Sequence, residues 1–588
     1  MGDLIRDTAF GNIVRFVSRN RWLQYPEERE DFVIPDAYLN PLYDKEVELT
    51  KENEPDDSAA QSETGSMDEK ADMPDVERVP TINLASIEHN IHNLADLERA
   101  ITAELKKEPT RPIVPQRTSD GIVLVDWYTT DDPANPQNWS LLKKNFVSFQ
   151  ICLYTFAVYM GSSIYTPSEG AIIEIFGVSA TAASLGLALY VLGYGTGPLL
   201  FSPLSEIPVI GRNLPYIVTF GLFVILCIPA ALVDNFAGLM VLRFLQGFFG
   251  SPCLATGGAS FGDMYTLLGL PFLMSFWVAA ATCGPALGPI ISGFSVAAES
   301  WRWSLWELLW VAGPVFIVLF FFLPETSANN ILLRRAARLR KVCGKKNFNT
   351  QSEIDQKQKT ATVILKEALL VPAQIVVQDP AIAFATLYTA LIYGIYYSYF
   401  ESFPLVYIDL YGFNLGEFGL AFLALAVAIA VDIPIYFSYI HYRVNPKIRS
   451  QGLGAPEERL LPALVATWLP PIGLFIFGWT GNGSVHWIVS IIGVFIFTSG
   501  VFILIQSIFI YIPLSYGPYT ASLFAANDFA RSLVAAAAIL FARPLFINLG
   551  VGRGISLLAG FTVGCSFGVY ALWYFGAKLR ARSKFAMK

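Results

Sequence analysis

From residue 145 onward the chain alternates long apolar runs with short polar breaks, and the runs are too long for strands. A helix needs about 20 apolar residues to cross the hydrocarbon core of a bilayer. Twelve stretches meet that length, near 145–166, 180–203, 213–233, 236–259, 270–296 and 303–323, then near 380–408, 415–440, 460–480, 485–512, 519–547 and 553–577. A polar break over 324–379 divides them six and six, the pattern of a chain built from two repeats. The expected architecture is an all-α membrane protein: a six-helix bundle over 141–323, a central loop over 324–379, a second six-helix bundle over 380–577, and a basic tail over 578–588.

The first 140 residues follow a different pattern. Residues 1–24 predict an amphipathic helix, with Leu4, Ile5, Ile13, Phe16 and Val17 apolar and Arg6, Arg15, Arg19 and Arg21 charged. Such a helix lies on an anionic membrane surface, stays solvated or docks on a partner. The opening "MGDLIR" lacks the Ser or Thr at position 6 that myristoylation wants. Residues 25–140 carry "KENEPDD" and "SMDEKADMPDVE" and too little apolar content for a core, which predicts an acidic disordered linker. A short helix is expected near "LADLERAITAELKK".

Lys and Arg set the orientation. They cluster in the central loop (Arg334, Arg335, Arg338, Arg340, Lys341), in the C-terminal tail (Lys578, Arg580, Arg582, Lys584) and in the 441–459 loop. All three fall on one side of a twelve-span chain. The expectation is a multi-pass protein with both termini in the cytoplasm. Composition agrees: 54% of residues are hydrophobic and 15% charged, against about 25% charged in soluble domains. The formal net charge of −7 mostly describes the acidic tail. Five of the six cysteines lie in apolar runs and only four histidines occur, so no disulfide framework, metal site or cofactor is expected. No GxxxxGK[ST] sequence occurs, which argues against an ATP-driven pump, and nucleic acid is not an expected partner.

Several charges and small residues stand out against the apolar background. "RFLQGFFGSP" buries Arg243 in a span, at an insertion cost of roughly 3 kcal/mol or more. In "FSPLSEIPVIGRNLPY", Glu206 and Arg212 bracket a turn at Pro208 and Gly211; the loop reads as an inner gate latched by opposite charges or as an ordinary capped turn. "CGPALGPIISG" sets Gly284, Pro285, Gly288 and Pro289 on one helix, a close-packing face with kinks. "GYGTG" (193–197) lies mid-span without a preceding strand and predicts close helix packing. Asp528 and Arg531, three apart, share a helix face and neutralise each other. On the seventh span Tyr388, Tyr393, Tyr396, Tyr397 and Phe400 fit a polyspecific aromatic cavity or ordinary packing, with Glu401 near the outer end as a cation-binding, titrating or interface residue. "NGS" places a glycosylation acceptor, Asn482, on a short outer loop.

"DDPANPQNW" (131–139), "GSSIYTP" (161–167), "FSPLSE…GR", "RFLQG", "GPALGP", "WRWSLW" (301–306), "LPET" (323–326) and "ASLFAANDFARS" (521–532) occur in that order. Together they resemble the fungal drug:proton antiporters of the major facilitator superfamily, twelve-helix branch, over roughly residues 131–584. The resemblance implies the major facilitator fold in the plasma membrane, without enzymatic activity. It also implies proton-coupled efflux of diverse small apolar toxic compounds, such as azoles, benzimidazoles or cycloheximide, by a monomer with drugs, protons and the lipid bilayer as its partners. It assigns Arg243 to proton coupling; the alternative is an arginine that anchors backbone carbonyls. Two rival readings are a narrow-substrate exporter (of a polyamine, a siderophore or a self-made toxin) and a non-transporting membrane sensor.

Overall fold

A computed structural model describes residues 2–35, 38, 110, 112–118, 120–266, 268–344, 347–357, 361–516 and 519–586. The helix expected near "LADLERAITAELKK" lies outside the described residues. Twelve helices among the described residues are long and apolar enough to span a membrane: Leu141–Phe176, Ala180–Glu206, Asn213–Leu232, Phe236–Met264, Leu270–Ala298, Trp303–Phe322, Pro380–Ile408, Leu415–Gln451, Pro456–Thr480, Trp487–Tyr516, Ser522–Leu549 and Val551–Arg582. Helices satisfy their own backbone polar groups, which is what a bilayer core demands.

The first span runs ten residues beyond the expected end at 166. Its helix Leu141–Ser163 stops, a 3-10 turn follows at Thr166–Ser168 around Pro167, and a second helix, Glu169–Phe176, resumes. The polar "TPSEG" is tolerated because the sixth span takes up its hydroxyl: Ser168 Oγ donates to the Trp301 carbonyl (2.9 Å) and lies 2.8 Å from Ser304 Oγ. The break leaves carbonyls of the last helical turn without intrahelical donors.

The two halves meet through the second span on the eleventh and the fifth on the eighth. On the fifth span, Gly284 and Gly288 lie on the first: a Cβ on Gly284 would sit 2.8 Å from the Phe156 carbonyl oxygen, and one on Gly288 2.9 Å from the Ile164 nitrogen. A Cβ on Gly419 of the eighth span would collide with the Pro289 carbonyl. The Gly-Pro repeat therefore packs within its own half on one face and against the other half on another.

At the end that carries both termini, part of the stretch expected to be linker is ordered. Val123–Leu124 pairs in parallel with Phe348–Asn349 of the central loop. Tyr38, Val123, Val125, Ala336, Leu339 and Phe348 make a small core beneath the helix Ala328–Cys343. That helix also supplies the charge that the acidic residues need. Arg335 donates to Asp132 at 2.7 Å and pairs with Glu27 at 3.3 Å, and Arg338 pairs with Glu27 at 3.0 Å. Burial alone would raise the Asp132 carboxyl, but the Arg335 guanidinium holds it below the usual carboxylate range. The composition of 25–140 hides this because the apolar residues that pack come in short, separated pieces and find their partners some 200 residues away.

Candidate functional site

Between the halves lies a partly open cavity. Tyr159, Trp277, Val278, Ala281 and Thr282 line it from the first half. The second half contributes Ile392, Tyr393, Tyr396, Ile429, Thr498, Val501, Phe502, Ile505, Phe509 and Arg531. Aromatic faces and aliphatic side chains dominate; Arg531 is the single charged lining residue. Its charge is balanced from behind by Asp528, which accepts from Nη2 at 2.7 Å, and the same Nη2 donates to the Tyr159 hydroxyl across the boundary at 2.8 Å. The two residues thus form the pair expected from their spacing, and the pair also holds the halves together.

A hydroxyl network continues beside the cavity. Tyr194 Oη lies 2.5 Å from Tyr393 Oη and donates to Tyr397 Oη at 2.9 Å. Tyr397 Oη is in turn 3.1 Å from Ser162 Oγ. Tyr396 donates to the Thr282 carbonyl at 3.0 Å. Each of these bonds joins one half to the other.

The Ser162 end of the network is held through its backbone by Arg243. This side chain is fully buried. Its Nη2 donates to the carbonyls of Gly161 (2.8 Å) and Ser162 (3.0 Å), and its Nε donates to the Gly186 carbonyl (3.1 Å). The guanidinium stacks 4.4 Å over the Tyr190 ring and 5.1 Å over Tyr165. Gly161 and Ser162 belong to the last turn of the broken first helix, where free carbonyls and the negative end of the helix dipole collect. The cation therefore sits at a backbone negative pole, and its hydrogen bonds end on carbonyls and the Gln246 side chain rather than on a carboxylate.

Of the six seventh-span residues expected at a cavity, Tyr393 and Tyr396 line it. Tyr397 sits behind them in the hydroxyl network. Tyr388 instead points into its own half, 2.8 Å from Thr467 Oγ1, and Phe400 stacks on Phe422 at 4.8 Å. Glu401 is buried with neither carboxylate oxygen hydrogen-bonded among the described residues. The six positions point in several directions around the helix, so that only some of them reach the gap between the halves. The walls that sequence reasoning missed, such as Trp277 and Phe502, carry no signal that separates them from ordinary core.

The loop after the second span is built around Glu325. Its carboxylate accepts from the backbone N–H groups of Arg212 (2.9 Å), Asn213 (3.1 Å), Thr326 (3.0 Å) and Ser327 (2.9 Å), which caps the third span. The Arg212 guanidinium donates to Asp263 Oδ2 at 3.2 Å and to Ser205 Oγ at 3.1 Å. Gly211 has φ +74°, and a Cβ there would run into the Glu325 carboxylate, so the turn needs glycine twice over. Glu206 ends the second span's helix beside this cluster. Asn482 is exposed at a loop tip, its Oδ1 accepting from Ser484 N at 3.1 Å.

Residues 151–539 match the family model described as Major Facilitator Superfamily. The chain is 48% identical over 482 residues to the MFS-type transporter pyvG of Aspergillus violaceofuscus, covering 82% of this chain and 89% of that one. It is 41% identical over 467 residues to Fluconazole resistance protein 1 of Saccharomyces cerevisiae, covering 78% and 84%. It is 35% identical over 596 residues to the Cycloheximide resistance protein of Candida maltosa, covering the whole of both chains. Among solved structures, the proton:xylose symporter XylE matches with a TM-score of 0.53 at 12% identity, over 74% of this chain and 96% of that one, a likeness of fold.

Proposed function

Because this chain belongs to the major facilitator superfamily, we propose that it exports small, largely apolar toxic compounds by alternating access, in exchange for protons. The shared aromatic cavity is the observation that carries the reading. Its lining selects for size and apolar surface rather than for one hydrogen-bond pattern, as a broad drug profile needs. Azole- and cycloheximide-type antifungals are the first candidates, since the names of relatives matching most of the chain refer to resistance against such compounds. The protein resides in the plasma membrane as a monomer, with both termini and the 324–379 loop in the cytoplasm, where Lys and Arg collect.

Arg243 serves coupling in this reading through the backbone it holds. By fixing the Ser162 carbonyl it positions Ser162 Oγ against Tyr397, so a shift of the broken helix is felt at the cavity wall. Glu206, Gly211 and Arg212, with Asp263 and Glu325, form the inner gate, which must loosen when the cavity changes its side of access. The Gly284–Pro289 face lets the first, fifth and eighth spans slide at close range.

The test is efflux from cells that lack endogenous pumps, measured over a compound panel with and without a protonophore at constant ATP. Broad export that a protonophore abolishes supports the reading. Export of one compound alone favours a narrow-substrate carrier, continued export without a proton gradient rejects antiport, and no export at all favours a sensor.

A further inference from the structure

The N-terminal segment carries an apolar face that the other described residues leave open. Its helix Ala9–Val17 is capped by Thr8, whose hydroxyl accepts from the Gly11 N–H. One side is committed: Gly11 and Arg15 are buried, Arg15 donates to both Glu28 oxygens (2.8 and 2.7 Å), and Phe10 packs 4.7 Å from Phe321 at the end of the sixth span. The other side is open. Phe16 is 85% exposed, Val17 76% and Ile13 51%, and Trp22 beyond the helix is 70% exposed. In water such a stripe would cost about 25 cal/mol for each Å² of apolar surface left uncovered.

Location decides the occupant. The helix rests on the third and sixth spans, and an aromatic belt runs on from Phe10 through Phe320, Phe321 and Phe322 to Phe146 of the first span, whose ring is 6.1 Å from Phe322. The sixth span ends at Phe322 and the first begins at Leu141, so these rings lie where the membrane-spanning helices end. Charge points the same way. Arg19 and Arg21 are exposed, while the first two acids that follow them, Glu27 and Glu28, are already held by Arg335, Arg338 and Arg15; the exposed Glu30 and Asp31 come only after a further exposed arginine, Arg29. Asp7, on the preceding side, accepts from the Tyr25 hydroxyl.

We propose that residues 9–22 form an interfacial anchor, with Ile13, Phe16, Val17 and Trp22 seated at the headgroup–acyl boundary of the leaflet on the side of the chain termini, and Arg19 and Arg21 on anionic phospholipid headgroups. The occupant is lipid, whatever compound the cavity carries. The anchor is also tied to the gate: the Glu325 N–H donates to the Asp7 carbonyl at 3.1 Å, and the Glu325 carboxylate caps the helix that begins after Arg212.

The full chain, reconstituted in phosphatidylcholine vesicles with and without phosphatidylserine, tests this with lipids brominated near the headgroup. Subtracting the emission of a Trp22→Phe variant isolates Trp22 from the other tryptophans. Trp22 emission should be quenched, more strongly with phosphatidylserine, and a Phe16→Glu/Val17→Glu variant with an unchanged melting temperature should lose most of the quenching. Arg19→Glu/Arg21→Glu should abolish the phosphatidylserine dependence, each arginine strengthening attachment about five-fold. Trp22 emission indifferent to brominated lipid overturns the anchor. Quenching that does not rise with phosphatidylserine overturns the assignment of anionic headgroups.

Discussion

The hydroxyl groups of Ser162 and Tyr397 lie 3.1 Å apart across the boundary between the two six-helix halves. Ser162 is held by Arg243 through its carbonyl, and Tyr397 touches Tyr194 of the first half. Removing the Tyr397 hydroxyl should cost the arrangement described here about 1 kcal/mol, a roughly five-fold change in its population against the alternative access state. Tyr397→Phe should therefore reach the membrane normally and show altered efflux, measured at matched surface expression. Unchanged efflux and unchanged accessibility of cysteines introduced at the cavity wall would remove the hydroxyl from the cycle.

Arg243 offers a planar fork to three carbonyls on two helices. Lysine carries the charge but cannot serve those acceptors together. Arg243→Lys and Arg243→Ala should both impair proton-driven efflux while drug binding survives, because the cavity lining does not include this residue. Alanine should in addition lower the melting temperature, since it strips the donors from the buried end of a helix. Full proton-driven efflux in Arg243→Ala would falsify the coupling role.

Gly211→Ala should destabilise by about 1–3 kcal/mol, because the residue must keep a left-handed backbone while its new methyl group displaces the Glu325 carboxylate. The loss should appear as a lower melting temperature in detergent. A Glu325→Gln variant should lose stability as well, since a neutral amide is a poorer cap for four N–H groups than a carboxylate.

Acid should release the N-terminal segment before the membrane helices unfold. Arg335 and Arg15 hold the carboxyls of Asp132 and Glu28 below their usual range, against the upward push of burial. A carboxyl lowered in the folded state stabilises above its unfolded value and loses that contribution as pH falls through the folded one. Limited proteolysis of residues 9–35 should rise as pH drops below about 4, and Arg335→Ala should show the same cleavage already at neutral pH.

The twelve spans were legible because a run of about 20 apolar residues has one stable form in a bilayer. Their ends were less so. "TPSEG" reads as a polar stop, and only the Trp301 carbonyl and the Ser304 hydroxyl at the start of the sixth span show how a helix resumes after it. The Asp528–Arg531 pair follows from spacing within one helix, but its bond to Tyr159 joins residues 372 positions apart, which no local pattern reports. Glu325 is similar: "LPET" marks it in sequence, while its role as a cap depends on a helix start more than a hundred residues earlier. Cavity walls were the least legible. Trp277 and Phe502 have the same apolar character as residues buried between helices, and only the gap beside them sets them apart.

The cavity draws unequally on its two sources. Of the lining residues, five come from the first half and ten from the second, whereas Arg243, the Glu325 cap and the Gly-Pro repeat all belong to the first half or its edge. On the proposed reading, choice of cargo leans on the second half of the gene and the machinery of movement on the first. A hybrid that keeps residues 1–379 and takes its remaining helices from a relative should inherit that relative's drug preferences while still moving on its own terms, and a population under changing toxins can retune what it expels by altering one half without rebuilding the engine in the other.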